Sequence, residues 1–262
     1  MKPRKQRLDV LIVDRGLAES RARAQALILA GQVIVGDQRV DKPGAQVPED
    51  AEVRLKGEVL PYVSRGGLKL KAAIDHFRID VRGKTCADIG ASTGGFTDCL
   101  IQEGAARVYA IDVGYGQLHE KLRIDPRVVV RERVNARYLG EADLPEPVAV
   151  LAVDVSFISL RQVLPAVLPR LEPAGTLVAL VKPQFEVGRE RVGKGGVVRD
   201  PAARAGAIRA LEEFVAEAGL RVLGVLDSPI PGPAGNVEAL LAAVSAPGSR
   251  TPRGGSSHGH AR

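Results

Sequence analysis

The stretch Asp88-Ile89-Gly90-Ala91-Ser92-Thr93-Gly94-Gly95-Phe96 decides the fold. The residues before it, Thr85-Cys86-Ala87, are apolar or β-branched and read as the end of a buried strand. The residues after it, Thr97 to Gln102, predict a helix that stops at Gly104. Three glycines, Gly90, Gly94 and Gly95, mark a sharp turn that a ligand can approach closely. Strand, glycine-rich turn and helix N-terminus make the first crossover of a doubly wound α/β domain. Its ligand should bind at the carboxyl ends of the strands.

The position of the acid narrows the ligand. A dinucleotide fingerprint, G-x-G-x-x-G, admits a pyrophosphate at the helix N-terminus. Here the pattern is D-x-G-x-x-x-G, and an acid two residues ahead of the first glycine would repel a pyrophosphate. It suits a ligand that carries an ammonium and a sulfonium. The pattern resembles motif I of S-adenosylmethionine-dependent methyltransferases, which implies that cofactor. Val108-Tyr109-Ala110-Ile111-Asp112 supports the resemblance, as a strand ending in a carboxylate placed to accept both ribose hydroxyls. A tight turn and a strand-ending acid without a ligand is the bland alternative. A nicotinamide dehydrogenase is the alternative from fold alone.

The chain has 262 residues, enough for one large α/β domain and a small module. Charged residues make up 26% and apolar ones 45%, as in an ordinary globular protein. A formal charge of +6 is a modest bias toward a polyanionic partner. The two cysteines, Cys86 and Cys99, have neither a pairing framework nor C-x-x-C spacing, and read as buried thiols of a reducing compartment. No window approaches the roughly 20 apolar residues of a membrane span. The basic start, Met1 to Arg7, is not followed by an apolar stretch of the secretory kind. A cytoplasmic protein is expected.

Residues 8–16 and 21–30 predict two helices, the second capped by Ser20, with Ala24, Leu27 and Ile28 inward. Val33-Ile34-Val35 and Gln38-Arg39-Val40 predict a hairpin around Gly36-Asp37, and residues 52–55 a further strand. Residues 1–59 then form a unit with its own small core. The segments Arg7-Leu8-Asp9, Gly16-Leu17, Ser20-Arg21-Ala22, Ala26 to Val35 and Gly36 to Gly44 resemble the S-four-type RNA-binding domain. That resemblance implies phosphate contacts at Arg4, Lys5, Arg7, Arg21 and Arg23, against the alternative of a solvated basic face. The unit contains no aromatic residue, so stacking of single strands is not expected of it.

Residues 60–63 read as a linker, residues 64–245 as the α/β domain and residues 246–262 as a disordered tail rich in Gly, Ser, Pro and Arg. In Tyr62 to Ile74, Ser64 and the paired glycines Gly66 and Gly67 mark a turn, and Leu68, Ala72, Ile74 and Phe77 seed a helix. Leu68 would anchor that helix and Lys69, pointing a different way, can reach a site; a merely solvated lysine is the default alternative. Strands are predicted at 107–112, 128–131, 148–153, 175–181 and 221–227, and helices near 159–170 and 201–218. The last helix would turn Ile208, Leu211, Val215 and Ala218 inward. A final strand, Val237 to Ala242, follows the Pro/Gly-rich turn 229–235 and would run antiparallel.

Asp154 and Lys182 follow the apolar runs 148–153 and 177–181, and Glu238 opens the last strand. Opposite charges that end neighbouring buried strands beside a ligand loop point to a site rather than to an exit into solvent. Lys69, Asp154, Lys182 and Glu238 match, in order and setting, the K-D-K-E tetrad of FtsJ-like RNA ribose 2′-O-methyltransferases. An S-four-type module ahead of such a domain resembles the layout of the TlyA (hemolysin A-like) family. The motifs are Ser64 to Leu70, Asp88 to Phe96, Asp154-Val155-Ser156-Phe157-Ile158-Ser159, Val181 to Glu186, and Gly235-Asn236-Val237-Glu238. Ala239 departs from an aromatic residue common in relatives.

The resemblance implies a mostly parallel seven-stranded sheet whose last strand is antiparallel. It implies in-line transfer of a methyl group from S-adenosylmethionine to a ribose 2′-hydroxyl, cytidine in this family, on ribosomal RNA. Catalysis would rest on Lys69, Asp154, Lys182 and Glu238, and cofactor binding on Asp88, Gly90, Ser92, Gly94, Gly95, Phe96, Asp112, Asn135 and Asp154. Arg65 joins the RNA contacts. No metal, membrane or obligate protein partner is implied. The alternatives are an RNA-binding protein with an inactive enzyme domain, and a membrane-active hemolysin.

Overall fold

In a computed structural model, residues 5–18, 20–36, 38–56, 61–232 and 235–248 are described. The chain divides into two compact units, residues 1–61 and 62–262. Arg4, the Gly36-Asp37 turn at Asp37, residue 60 of the expected linker and the tail beyond Gly248 lie outside the described residues.

The first unit contains β1 (Lys5–Arg7), α1 (Leu8–Asp14), α2 (Arg21–Leu29), β2 (Val33–Val35), β3 (Gln38–Arg39), β4 (Gln46–Pro48) and β5 (Val53–Leu55). Strand β2 is flanked by β3 and β5, and β1 pairs with β4, all antiparallel. Leu8, Leu11, Ile12, Ala24, Leu27, Ile28, Val33 and Val47 form its core. Ser20 caps α2, its Oγ accepting from the Arg23 backbone N–H at 3.2 Å. In the first turn of α1 Asp9 is wholly buried. Its Oδ1 accepts from Arg7 Nε at 3.0 Å, and its Oδ2 accepts from Arg21 Nε at 2.9 Å and Gln25 Nε2 at 2.8 Å.

The second unit is a seven-stranded sheet of β6 (Thr85–Ile89), β7 (Arg107–Ile111), β8 (Val128–Arg131), β9 (Val148–Val153), β10 (Leu171–Val181), β11 (Leu220–Asp227) and β12 (Ala239–Ser245). The order is β11-β12-β10-β9-β6-β7-β8. Only β12 runs against its neighbours, β10 and β11, as expected. The helices are α3 (Gly66–Phe77), α4 (Gly95–Gln102), α5 (Glu120–Arg123), α6 (Leu160–Val167), α7 (Pro183–Glu186) and α8 (Pro201–Glu217). All six residues of β9 are buried, because helices cover both sheet faces and an apolar run is needed on each. Alternate residues feed two cores. Ile89, Leu151 and Val153 pack with Leu164 and Leu211 on one side, and Cys86, Val150 and Val178 with Leu70, Ile74 and Leu100 on the other. Chain order reverses between β6 and β9, which places the crevice of a doubly wound sheet over Ile89 and Val153.

Several elements differ from expectation. Gly66 and Gly67 open α3 rather than forming a turn ahead of it. A Cβ on Gly67 would overlap the Tyr62 ring, and one on Gly95 would overlap Ser64 Oγ, so these glycines let α3 and α4 meet closely. Leu70, wholly buried, anchors α3 in place of the half-buried Leu68; Lys69 is buried, which sets aside only the alternative of a solvated lysine. The last strand begins at Ala239, one residue after Glu238. The expected helix 159–170 is α6 followed by a 3-10 turn, Leu168–Arg170. Strand β10 starts earlier, at Leu171, with an irregular register before Thr176. On α8 the buried residues are Ala203, Ala207, Leu211 and Val215, whereas Ala218 follows the helix and is exposed. Both cysteines are buried free thiols, and burial pushes each up to about 12.

Candidate active site

The glycine-rich loop is built from its backbone demands. Gly90 has φ +87, and a Cβ there would overlap the Asp154 carbonyl oxygen. Asp154 N donates to the Ile89 carbonyl at 2.8 Å, drawing the ends of β6 and β9 together. Ser92 is also left-handed, with φ 49. Its N–H donates to Asp112 Oδ2 at 2.8 Å, while Gly114 N donates to Asp112 Oδ1 at 2.6 Å. Asp112 thus braces the loop and keeps lone pairs for a further donor.

Asp88 has two faces. Its Oδ2 accepts from the Thr97 backbone N–H at 2.8 Å and from Thr97 Oγ1 at 2.7 Å, tying the strand end into the first turn of α4. Its Oδ1 is buried without a partner. Burial, opposed by the Thr97 hydrogen bond, pushes this carboxyl up to about 7.

Two lysine–carboxylate pairs stand at the same strand ends. Lys69 Nζ on α3 donates to Glu238 Oε2 at 2.5 Å, with 9% and 0% of the side chains exposed. Glu238 Oε1 is a second buried oxygen without a partner. Lys182 Nζ lies 2.6 Å from Asp154 Oδ1 and donates to Ser156 Oγ at 2.7 Å. One cleft is lined by Lys69, Asp88, Gly90, Ser92, Gly95, Phe96, Asp154, Lys182 and Glu238, together with Arg65. A second, lined by Gly90, Ser92, Asp112, Asn135, Asp154 and Phe157, continues from it across the loop.

The structure therefore brings the four tetrad candidates and most of the expected cofactor residues to one trough. Gly94 is the exception. It lines neither cleft, and a Cβ there would overlap Leu122. The Phe96 ring is buried in the α3–α4 core. Asn135 caps a short turn, its Oδ1 accepting from Arg137 N at 3.0 Å. Of the basic candidates in the first unit, Lys5, Arg7, Arg21 and Arg23 are all exposed, and Arg7 and Arg21 are also bound to Asp9.

Sequence reasoning missed three supports. Ser156 completes the Lys182 contacts. Glu186, nearly buried, accepts from Ser159 Oγ at 2.6 Å and Leu160 N at 2.7 Å. Asn236, 1% exposed, spends its amide on the loop before α8. Each lies inside one of the motifs above, but none ends an apolar run, so no local pattern marks them out. Phe157 is 91% exposed with φ 65, its ring 5.3 Å from that of Phe185.

The fold and trough define a methyltransferase, and the comparisons agree. An FtsJ-like methyltransferase model matches residues 62–244 and an S4 domain model residues 6–53. The chain belongs to the FtsJ-like methyltransferase family. YqxC of Bacillus subtilis, whose name offers an rRNA methyltransferase, is 51% identical over 242 residues, 92% of this chain and 86% of that one. The 16S/23S rRNA (cytidine-2'-O)-methyltransferase TlyA of Mycobacterium tuberculosis is 47% identical over 239 residues, 91% of this chain and 89% of that one. A solved Streptococcus thermophilus structure carrying the hemolysin name has TM-score 0.73 and 43% identity, covering 95% of this chain and 92% of that one. No helix among the described residues is long and apolar enough to cross a membrane.

The cofactor is S-adenosylmethionine, and the residues present fit it. The orphaned Asp88 Oδ1 suits a cationic donor. Gly90 lets the loop lie directly against the Asp154 backbone at the trough, and Asp112 offers free lone pairs.

Proposed function

We propose that this protein methylates the ribose 2′-hydroxyl of a cytidine in ribosomal RNA, acting on ribosomal subunits in the cytoplasm. The observation that supports it most directly is the meeting of Lys69–Glu238 and Lys182–Asp154 at one trough with the glycine-rich loop. Asp88, Gly90, Ser92, Asp112 and Asn135 are the cofactor's proposed holders. Bound there, S-adenosylmethionine supplies an electrophilic methyl group on a sulfonium.

The chain's own part is alignment and proton handling. A ribose hydroxyl is a weak nucleophile until its proton is lost or shared. In this reading Lys182, held between Asp154 and Ser156, serves that hydroxyl, as the base that takes its proton or, while charged, by orienting it and stabilising the developing alkoxide. Lys69 contributes fixed positive charge in a water-poor site, and Glu238 holds it there. Holding hydroxyl and methyl in line supplies the larger part of the rate. The first unit supplies RNA affinity in this reading, through Lys5 and Arg23 and through Arg4, with residues 64–245 as the chemical domain. Arg7 and Arg21 contribute as far as their bonds to Asp9 allow.

The test is transfer of a labelled methyl group to isolated ribosomal subunits, followed by nuclease digestion and mass spectrometry of the nucleosides. Label should appear on cytidine ribose and vanish with Lys182→Ala. Label on a base would overturn the reaction class.

A further inference from the structure

We propose that the loop of residues 188–199 is a backbone grip for the RNA substrate, held in register with the reacting centre. This inference rests on the reading of the protein as an RNA methyltransferase. The loop carries Arg189, Arg191, Lys194 and Arg199, all exposed, against a single acid, Glu190. Several basic side chains elsewhere in the second unit sit on acids, as Arg107 does on Glu146, Arg123 on Glu132 and Arg127 on Asp125, whereas the loop gathers four within eleven residues. Among the described residues these four loop cations form no ion pair. Uncompensated charge concentrated on one projecting turn is the footprint of a polyanion. Arginine in particular matches phosphate with two parallel hydrogen bonds.

Position gives the charge its meaning. The loop stands on two feet, each bound to a segment that carries a tetrad candidate. At the first, α7 follows directly on Lys182 and ends at Glu186. The Glu186 carboxylate is fixed to Ser159 Oγ and Leu160 N, so the chain leaves the sheet from a braced point. At the second, Asn236, two residues before Glu238, reaches back to the loop. Its Oδ1 accepts from Val198 N at 2.9 Å and its Nδ2 donates to the Gly196 carbonyl at 2.8 Å. Gly195 and Gly196, with φ +81 and +79, make the turn between. The loop closes on itself where Gly193 N donates to the Val197 carbonyl at 3.0 Å. A phosphate gripped here is therefore held at a set distance from both Lys182 and Glu238.

The experiment uses the full chain and protein-free ribosomal RNA, with affinity measured by filter binding across a salt series. Combined Arg189→Gln, Arg191→Gln, Lys194→Gln and Arg199→Gln should weaken binding at least tenfold and make the slope of log K against log salt shallower by about 3. Affinity for S-adenosylmethionine should not change. Asn236→Ala keeps all four cations but frees one foot. It should leave the salt slope intact and lower methyl transfer at saturating RNA severalfold. An unchanged salt slope in the fourfold variant, with the parent active on RNA, would overturn this inference alone. Loop-dependent RNA binding without any methyl on ribose would overturn the reaction and leave the grip standing. Loop dependence seen only with protein-containing subunits would assign the loop to a protein surface and refute it.

Discussion

Lys69 Nζ lies 2.5 Å from Glu238 Oε2, inside a site where neither side chain has appreciable contact with water. The two residues are 169 positions apart, so the pair joins α3 to the start of β12 across the trough. Removing one partner strands the other as a buried charge, at a cost of about 3–5 kcal/mol. Lys69→Met should lower stability by that order in urea titrations. The double variant Lys69→Met with Glu238→Leu should recover most of the stability and none of the methyl transfer. Equal instability of the single and double variants would show that the pair is not the source of the loss.

Asp88 gives the cofactor affinity a pH dependence of known sign. Burial raises its pKa to about 7 in the free protein, so a proton is held below that pH. A cationic ligand favours the ionised form and releases the proton on binding. Affinity for S-adenosylmethionine should weaken as pH falls below about 7 and level off above it. Calorimetry in buffers of different ionisation enthalpy should register the released proton, and Asp88→Asn should both weaken binding and flatten the profile.

Gly90→Ala should be far more damaging than a methyl group suggests. The left-handed backbone costs about 1–3 kcal/mol for a non-glycine residue. The added Cβ also meets the Asp154 carbonyl oxygen, which is backbone and cannot swing aside. A lowered melting temperature with lost cofactor binding is expected. A variant that melts and binds like the parent would show that the close approach of loop and Asp154 does not matter.

In the first unit Asp9 accepts from Arg7, Gln25 and Arg21, and the Arg7 hydrogen bond holds its carboxyl well below the usual range. A depressed carboxylate stabilises the fold above its unfolded pKa of about 3.9 and loses that contribution as pH falls toward the folded value. Acidification below about pH 4 should therefore loosen α1 against α2. Asp9→Asn should show the same loosening at neutral pH, followed by amide hydrogen exchange in residues 8–29.

Ser156→Ala should leave the fold and the affinity for both substrates intact, because the residue is exposed, while lowering kcat and moving the pH–rate profile. Ser156→Thr should restore part of the rate. An unaltered profile would mean that the hydroxyl contact does not orient Lys182.

The α/β domain was legible where both faces of a strand are covered, because Val148 to Val153 must then be apolar throughout. The tetrad was legible because charges that end such runs stand out. Other features depend on contacts that no local pattern encodes. Lys5-Gln6-Arg7 forms a strand through backbone pairing with β4 and shows no apolar alternation. Gly66 and Gly67 read locally as a turn, yet the crossing of α3 over α4 recruits them into a helix. Arg7 and Arg21 read as free cations, and only the buried position of Asp9 reveals how they are occupied. Glu186 and Asn236 look like ordinary loop residues until their partners, 26 or more positions away, are in place.

The two thiols, Cys86 and Cys99, are both enclosed and each is pushed up to about 12. Toward an alkylating reagent at neutral pH the native chain thus behaves as though it had no cysteine. A single new thiol, Phe157→Cys beside the trough or Lys194→Cys on the loop, would be the sole handle for a fluorophore or a photocrosslinker. Such a probe would report docking in the fully wild-type background of sulfur, with neither native residue having to be sacrificed.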